Sequence, residues 1–436
     1  MKGLVGRGIK VLKERGPRGL GAAVLRFMAN KLDPPLISQV NLEGLEFFDV
    51  GRNELSRHLR ILQSWRDDSN KEVRSINWVL PNFINPYGGG YYTIFRFVNM
   101  FSLQGINSRL IFYDTSSDDE AKRIRKVLRY LFPQLEVEVL VRPVGNILPL
   151  EKWIPYADVT FATTWQSAYY VVRFNDTRAK YYFIQDYEPL FYPAGTLFAL
   201  AENTYKWNMP AITFGKWLSE VYQKNYGGEA QDFIPCVDRE LFKPLLSSPR
   251  QKAKRVFFYA RPISERRAFE LGILTLKRVL REHPDLVLVT AGSVGISLKK
   301  YNLKLPIEDY GSLTLEETAR LYQTCDIGLC FSMTNLSLVP LELMATGCLV
   351  VSNRGKTVEW LLKDRVNSLL AEPLPSALAE RFEEALRDYE MRCAIFEQGL
   401  RTVSATSWEE EFQRVAKFIE TGQYQKGVER EIREEP

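Results

Sequence analysis

The sequence is poor in histidine and lacks the cysteine spacing of a metal site. Only His58 and His283 occur among the 436 residues, and we expect both to be structural. The cysteines are odd in number and scattered, which is typical of reduced thiols in the cytosol. The sequence therefore predicts free thiols and no metal centre. The five cysteines are Cys236, Cys325, Cys330, Cys348 and Cys393.

Long apolar runs and a strong net charge are also missing. No run reaches the ~20 apolar residues that a membrane-spanning helix needs. Glycine and arginine interrupt the N-terminus where a signal peptide would have an apolar block. The net charge of +5 is small for this length and gives no argument for nucleic acid as a partner. We therefore expect a cytoplasmic protein.

The positive charge is concentrated in residues 1–31, where eight basic residues stand against Glu14 alone. This segment can hold the protein peripherally against anionic lipid on the cytoplasmic face of a membrane. It can equally be a helix packed on the first domain with solvated charges. The basic residues are Lys2, Arg7, Lys10, Lys13, Arg15, Arg18, Arg26 and Lys31.

Length and composition predict an ordinary globular protein with two domains. Hydrophobic residues make up 45% and charged residues 25% of the chain, as in soluble proteins, and 436 residues favour two domains. The 21 Tyr, 25 Phe and 8 Trp are rather many. Such rings line sugar-binding clefts, but they also fill hydrophobic cores.

Short apolar segments alternate with helical ones, which predicts parallel sheets. The first predicted strands are Ile76–Pro81 and Ser108–Asp114, followed by LEVEVLV, ADVTFAT, KYYFIQD and AITFG. A second series begins with Arg255–Arg261 and Leu286–Gly292. The segment Phe233–Pro249, rich in proline and serine, is the predicted linker between two α/β domains.

The most informative segment follows Asp326. Ile327–Phe331 is typical of a buried parallel strand, and Ser332–Val339 is a polar loop. Pro340 suits the first turn of a short helix, and Cys348–Ser352 is the next strand. Such a βαβ unit binds ligands at the carboxyl ends of its strands.

The same segment indicates what kind of ligand binds there. Free loop amides and a helix N-terminus form an anion site. Glu342, one turn into the helix, adds a carboxylate that can accept hydrogen bonds from ribose hydroxyls. This combination predicts a nucleoside diphosphate rather than a bare phosphate.

Motifs spread over most of residues 76–422 resemble, in order, those of retaining nucleotide-sugar glycosyltransferases of family 4 with the GT-B fold. They are PNFINPYGGG, FIPCVDRELFKP, FYARPISERRAF, IEDYGSLTLEETARLYQTCDIGLCFS and VPLELMATGCLVVSNRGKTVEW. The segment FIQDYEPLFYPAG is similar to bacterial rhamnan-synthesis rhamnosyltransferases, which use dTDP-L-rhamnose.

The resemblance implies an α/β protein with two Rossmann-like, doubly wound parallel-sheet domains that face a cleft, preceded by a helical extension. We expect the basic extension over 1–70, the acceptor domain over 71–235 and the donor domain over 236–405. A C-terminal helix over 406–436, with Ser407 as its cap, is expected to cross back to the first domain.

The resemblance also implies the donor site. Arg261 and Arg267 are expected to bind the pyrophosphate and to act in catalysis, with Arg266, one position earlier, as the alternative second cation. The loop before Glu342 is expected to offer its amides, and the glycine-rich loop to let the ligand approach the backbone. These residues are Asn335, Leu336, Ser337, Leu338 and Val339, with Gly88, Gly89 and Gly90; Gly292 and Tyr310 are expected near the base.

One position departs from the family pattern. Glu342 matches the second glutamate of the family's pair, whose implied role is to bind the ribose. Thr334 occupies the position of the first glutamate of the pair. In the family, that glutamate contacts the donor sugar. The identity of the sugar is therefore left open by the motif.

The acceptor site is predicted at Asp186, Tyr187 and Glu188, directly after the predicted strand Tyr181–Ile184. The two carboxylates can bind acceptor hydroxyls, and Asp186 can act as a base. A turn built by aspartate and proline explains the same residues structurally.

Together these features predict an enzyme that moves L-rhamnose from dTDP-β-L-rhamnose to a rhamnose-containing bacterial surface glycan, with retention and without a metal. A transferase for another nucleotide sugar, such as a UDP- or GDP-sugar, is an alternative. A non-catalytic binder of sugars or nucleotides is another.

Overall fold

The computed structural model describes residues 42–83, 85–143, 149–293, 298–301 and 303–425. The basic segment 1–31 lies outside them, so the expectation for it stays a prediction. The described residues of the unit that ends at Arg52 contain the short helix α1 (Leu42–Glu46). A second unit, Asn53–Pro436, contains both β-sheets.

The first sheet has seven parallel strands in the order β3-β2-β1-β4-β5-β6-β7. The order reverses between β1 and β4, which makes the sheet doubly wound. The strands are β1 (Ser75–Leu80), β2 (Asn107–Phe112), β3 (Glu138–Val141), β4 (Ala157–Ala162), β5 (Thr177–Ile184), β6 (Ala211–Phe214) and β7 (Ala230–Phe233). With its helices, this sheet forms the first lobe.

The second sheet has six parallel strands in the order β10-β9-β8-β11-β12-β13. Its order reverses between β8 and β11. The strands are β8 (Arg255–Tyr259), β9 (Val287–Ala291), β10 (Ile307–Asp309), β11 (Ile327–Leu329), β12 (Leu349–Asn353) and β13 (Leu369–Ala371). With its helices, this sheet forms the second lobe.

Helices cover both faces of each sheet, as parallel sheets require. In the first lobe they are α2 (Arg52–Asp67), α3 (Gly89–Leu103), α4 (Asp118–Leu131), α5 (Trp165–Arg173), α6 (Thr196–Tyr205) and α7 (Lys216–Tyr226). After β8 come α8 (Phe269–Glu282), α9 (Leu315–Tyr322), α10 (Val339–Ala345), α11 (Lys356–Glu359), α12 (Pro375–Arg387), α13 (Tyr389–Ser404) and α14 (Trp408–Thr421).

Burial on both faces explains why the strands read as continuous apolar runs rather than alternating ones. All six residues of β4 and all five of β12 are buried. In the first core, Trp78 of β1 stacks on Phe161 of β4 with ring centroids 4.3 Å apart. Aromatic residues thus contribute to the core as well as to the surface of the first lobe.

The last helix packs on the first lobe, although it follows the second lobe in the chain. Ser407 Oγ accepts a hydrogen bond from the amide of Glu410 at 3.1 Å and caps the helix, as predicted. Phe412 of α14 meets Phe101 of α3 edge to face, with centroids 4.7 Å apart. This helix therefore connects the two lobes.

The predicted α/β fold with two doubly wound parallel sheets is confirmed. The sequence reading missed three short strands, β7, β10 and β13, and it extended β11 by two residues. The predicted linker is irregular after Phe233, as expected. None of the helices in the described ranges has both the length and the apolar character needed to cross a membrane.

Candidate functional site

The carboxyl ends of β5 and β6 meet the loop that joins β11 to α10. At this junction Asn335 has no exposed surface. Its Nδ2 donates hydrogen bonds to the carbonyl oxygens of Gln185 and Phe214, each at 3.0 Å. One carboxamide of the second lobe thus binds the ends of two neighbouring strands of the first.

Two further contacts join the lobes around this point. Asn85 Nδ2 donates to Ser312 Oγ at 3.2 Å. Gly215, which follows β6 with φ +84°, lies against the ring of Trp360, since a Cβ there would be 2.4 Å from Cη2. Only glycine combines this backbone angle with so close an approach. The lobes are therefore joined at these two places as well as at Asn335.

The glycine-rich loop lies in this cleft. Gly89 and Gly90 begin α3, directly after Gly88. A Cβ on Gly89 would be 3.3 Å from the side chain of Leu338, and one on Gly90 would be 3.6 Å from Gln185 Nε2. Side chains at these positions would crowd the space between the first lobe and the loop before α10.

Arg267 is buried and holds that loop in place. Its side chain is 9% exposed, and Nη1 donates to the carbonyl oxygens of Phe331 at 3.2 Å and Asn335 at 3.4 Å. Nη1 also donates to Ser332 Oγ at 3.0 Å. Burial, and then the neighbouring charge of Arg266, lower the pKa of Arg267. Its positive charge lies beneath the loop, and its Nη1 is committed to holding the loop.

Arg266 and Arg261 are the more accessible guanidinium groups. Arg266 Nε lies 3.3 Å from Asp186 Oδ2, and its guanidinium carbon is 4.2 Å from the ring centroid of Phe191. Arg261 makes one side-chain hydrogen bond among the described residues, a long one of 3.4 Å to Tyr259 Oη. Arg261 therefore retains donors for an anionic ligand.

Asp186 connects the acceptor side of the cleft to the donor side. Its Oδ1 accepts a hydrogen bond from the amide of Tyr187 at 3.0 Å. Burial raises the pKa of Asp186, while Arg266, Arg267 and the nearby hydroxyl of Thr334 oppose that rise. Thr334 is 3% exposed. Thr334, which replaces the family's first glutamate, thus lies beside the Asp186 carboxylate of the opposite lobe.

Glu188 is held differently from Asp186. Its Oε2 accepts a hydrogen bond from the amide of Trp165, at the start of α5. Burial is the main reason why its pKa is raised to about 8, and the negative charge of Asp186 adds to the rise. No described cation forms an ion pair with Glu188. Tyr187, between the two carboxylates, has its hydroxyl hydrogen-bonded to that of Tyr226.

Glu342 carries an uncompensated carboxyl group in the first turn of α10. Burial alone raises its pKa to about 7. The described residues offer its carboxylate neither an ion pair nor a hydrogen bond. A partly buried acid without a partner is a candidate for binding a ligand.

The remaining predicted residues lie around these groups. The side chains of Leu336, Leu338 and Val339 are buried in the second lobe, so only their backbone can contact a ligand. Gly292, with φ +103°, lies against Arg261, because a Cβ there would be 3.2 Å from Cδ. Tyr310 is 45% exposed on the rim of the second lobe.

Unsatisfied polar atoms cluster at the junction of the lobes. Of twelve buried side-chain polar atoms without a hydrogen bond in the described part of the chain, five lie here. Arg266 Nε and Thr334 Oγ1 lie close to the Asp186 carboxylate without a hydrogen bond of good geometry. Buried polar groups are nearly always paired in native proteins, so the other three atoms indicate a ligand. The five are Gln185 Oε1, Arg266 Nε, Thr334 Oγ1, Asn335 Oδ1 and Ser337 Oγ.

Gln185 is the residue that sequence reasoning missed. It follows β5 and directly precedes Asp186, so its place at the carboxyl end of a strand was the available signal. The sequence does not show that its backbone oxygen binds Asn335 or that its side-chain oxygen is left unpaired.

The raised pKa of Glu342 gives a testable effect on stability. In the folded protein this carboxyl keeps its proton up to about pH 7, whereas its ordinary pKa is 4.5. The free energy of unfolding therefore falls as the pH rises between these values. We expect Glu342→Gln to gain about 1–3 kcal/mol over the wild type between pH 4.5 and pH 8.

Denaturant unfolding at several pH values measures this effect. Glu380→Gln, at an exposed position of α12, is the matched control and should show no such trend. Parallel curves for Glu342→Gln and the wild type would contradict the assignment of an unpaired, buried carboxyl.

Two family models match the chain in the order of its lobes. That of the WsaF N-terminal domain matches residues 76–215, and that of the WsaF C-terminal domain matches residues 254–383. Together they cover more than half of the chain.

Individual relatives agree with this match. The O-antigen biosynthesis protein RfbC of Myxococcus xanthus is 38% identical over 356 residues, which are 80% of this chain and 27% of that protein. HepE of Anabaena, solved with UDP-glucose, has a TM-score of 0.63 at 16% identity and covers 79% of this chain and 99% of its own. Sucrose-phosphate synthase of Thermosynechococcus elongatus has a TM-score of 0.63 at 16% identity, and the match covers 79% of this chain and 98% of that chain.

The chain spans about a quarter of the length of RfbC, while the solved structures share its fold over nearly their whole length. With both WsaF domains present in order, the chain belongs to the WsaF family of GT-B glycosyltransferases.

Proposed function

We propose that the protein transfers L-rhamnose from dTDP-β-L-rhamnose to a rhamnose-containing polysaccharide of the bacterial surface, with retention of configuration. The cluster of unsatisfied polar atoms between the lobes, next to Arg261, carries this proposal. The similarity to RfbC, an O-antigen biosynthesis protein, supports a polysaccharide as the acceptor.

The diphosphate of the donor would lie against Arg261. Its guanidinium is partly exposed and has donors to spare, and a guanidinium can bind two phosphate oxygens. The amides of residues 336–339 would bind the other oxygens. Glu342, once ionised, would accept hydrogen bonds from the ribose, which would also give its carboxyl the partner that it lacks.

The sugar would lie between Asn335 and Asp186. The two carbonyl partners of Asn335 fix its Nδ2, so Oδ1 is the free atom of the amide and can only accept a hydrogen bond. The diphosphate of a nucleotide sugar is fully ionised near neutral pH and has no proton to donate to this oxygen, whereas a sugar hydroxyl has one. Thr334, with a short side chain, leaves the carboxylate role here to Asp186.

Retention follows if the acceptor attacks from the face that the diphosphate leaves. The bond between the anomeric carbon and the phosphate oxygen breaks, and a bond to the acceptor oxygen forms on the same side. The departing phosphate oxygen takes the acceptor's proton. Arg261 and Arg266 stabilise the negative charge that develops there, and the closed lobes align the hydroxyl.

The acceptor would bind on the side of Glu188. Because Arg266 already pairs with Asp186, Asp186 is better suited to positioning than to proton transfer. Glu188 has no cation partner and lies near aromatic side chains of the first lobe, such as Tyr192. Rings of this kind pack against sugar faces while the carboxylate binds a hydroxyl.

The protein is further proposed to act in the cytoplasm, with residues 1–31 holding it peripherally at the membrane. Flotation with anionic vesicles, with and without these residues, measures this. Equal flotation of both forms would contradict it.

Glu188 predicts a pH dependence of the reaction. An ionised carboxylate binds a hydroxyl more strongly than a neutral carboxyl, and the pKa of Glu188 is about 8. We expect kcat/KM for the acceptor to rise as the pH passes about 8. Glu188→Gln should lower kcat/KM about tenfold or more above that pH and abolish the rise.

The control is Glu220→Gln, which changes an exposed carboxylate on α7 paired with Lys224. It should keep the wild-type profile. If Glu188→Gln keeps that profile as well, Glu188 does not contact the acceptor.

Arg261 tests the proposal as a whole. Arg261→Ala removes a partly exposed side chain with one long hydrogen bond, so the fold should be retained. We expect transfer from dTDP-L-rhamnose to a short rhamnoside, followed by mass spectrometry, to fall about a hundredfold or more. Arg278→Ala, an exposed arginine on α8 of the same lobe, should react at the wild-type rate.

The same assay with other donors separates the alternatives. HepE was solved with UDP-glucose, so a UDP-sugar is the second candidate, and calorimetric titration with dTDP, UDP and GDP distinguishes the bases. Transfer from a UDP- or GDP-sugar instead would correct the donor. If the protein binds a nucleotide but forms no product from any donor, the proposal that it is an enzyme is contradicted.

A further inference from the structure

A second groove lies on the first lobe, away from the cleft. It has a volume of about 420 Å³ and lies between α2 and the start of β5. Thr177, the first residue of β5, lines it. Asp186 follows the other end of this strand, about 25 Å away at the usual rise per residue. The groove is therefore separate from the proposed site of sugar transfer.

Helix α2 is fixed firmly enough to shape this groove. His58, Leu62 and Trp65 form its buried stripe. His58 Nε2 is 2.9 Å from the carbonyl oxygen of Trp207, and Trp65 Nε1 donates to Tyr181 Oη at 3.0 Å. The exposed face of the helix, which borders the groove, thus has a defined position.

Two arginines on this face have no partner among the described residues. Arg57 and Arg60, three residues apart, line the groove and are exposed. Within the described ranges neither forms an ion pair or a hydrogen bond. Residues at this spacing are neighbours on a helix surface, so their charges repel unless an anion lies between them.

The nearby carboxylates are already committed to other cations. Glu54 binds Arg173, with Oε1 at 2.8 Å from Nε. Asp68 binds Arg178, a third arginine of the groove, with Oδ2 at 2.7 Å from Nη2. The groove therefore has an excess of positive charge that the described part of the chain does not neutralise.

A buried lysine lies close enough to Arg57 for their charges to interact. Lys180 of β5 has no exposed surface, and its Nζ donates to the carbonyl oxygen of Val172 at 2.9 Å. Burial is the main cause that lowers its pKa to about 7, and the charge of Arg57 lowers it further, while Glu151 opposes the change. An anion near Arg57 would relieve part of this repulsion.

We propose that this groove binds a phosphate group, held by the guanidinium groups of Arg57 and Arg60. Each guanidinium can donate to two phosphate oxygens. Ser64, exposed one turn further along α2, and Asn175 across the groove supply additional polar groups. A free phosphorylated metabolite and the headgroup of a membrane phospholipid offer the same chemistry.

Titration of the full chain with inorganic phosphate, followed by the ³¹P NMR line width, tests for a free ligand. We expect saturable binding that weakens about tenfold or more in the double variant R57A/R60A. The matched control is R278A/R281A, which removes two exposed arginines at the same spacing on α8. Arg261→Ala should leave this binding intact, which separates the groove from the cleft.

Flotation with phosphatidylglycerol vesicles, against phosphatidylcholine vesicles, tests the lipid source with the same variants. Loss of flotation in R57A/R60A but not in R278A/R281A, without binding of free phosphate, assigns the headgroup. Loss of binding of free phosphate in R57A/R60A indicates that the groove binds a soluble phosphorylated ligand. If R57A/R60A equals R278A/R281A in both assays, the groove is not a phosphate site.

Discussion

A single buried carboxamide holds the two lobes at the place where the ligand is proposed to bind. Asn335 uses both protons of its Nδ2 on the backbone oxygens of Gln185 and Phe214. Those oxygens lie at the ends of adjacent strands, where parallel strands leave carbonyl groups unpaired. The proposed sugar site exists only while the ends of these strands and the loop before α10 stay in contact through Asn335.

The loop that carries Asn335 depends in turn on Arg267. Its buried guanidinium binds two loop carbonyls and a hydroxyl, which fixes the loop without using a ligand. Arg261 and Arg266 remain closer to the surface. The three arginines thus have different roles. Arg267 supports the loop from beneath, whereas Arg261 and Arg266 are available for the charge of a diphosphate.

The sequence predicted the two sheets and most of their strands because strands buried on both faces are continuous apolar runs. It missed β7, whose AQDF segment is short and half polar, and β13, which has only three residues. It placed Asp186, Glu188 and Glu342 at strand or helix ends correctly. Partnerships across the lobes, such as Arg266 with Asp186, depend on tertiary packing and have no signature in local sequence.

An activated sugar is proposed to bind where the unsatisfied atoms lie between the lobes. A crystal structure of the protein with dTDP-L-rhamnose tests it most directly. We expect the diphosphate to lie within hydrogen-bonding distance of Arg261, the ribose to contact Glu342, and a sugar hydroxyl to donate a hydrogen bond to Asn335 Oδ1. A nucleotide sugar bound elsewhere, without a contact to any of these three groups, would contradict it.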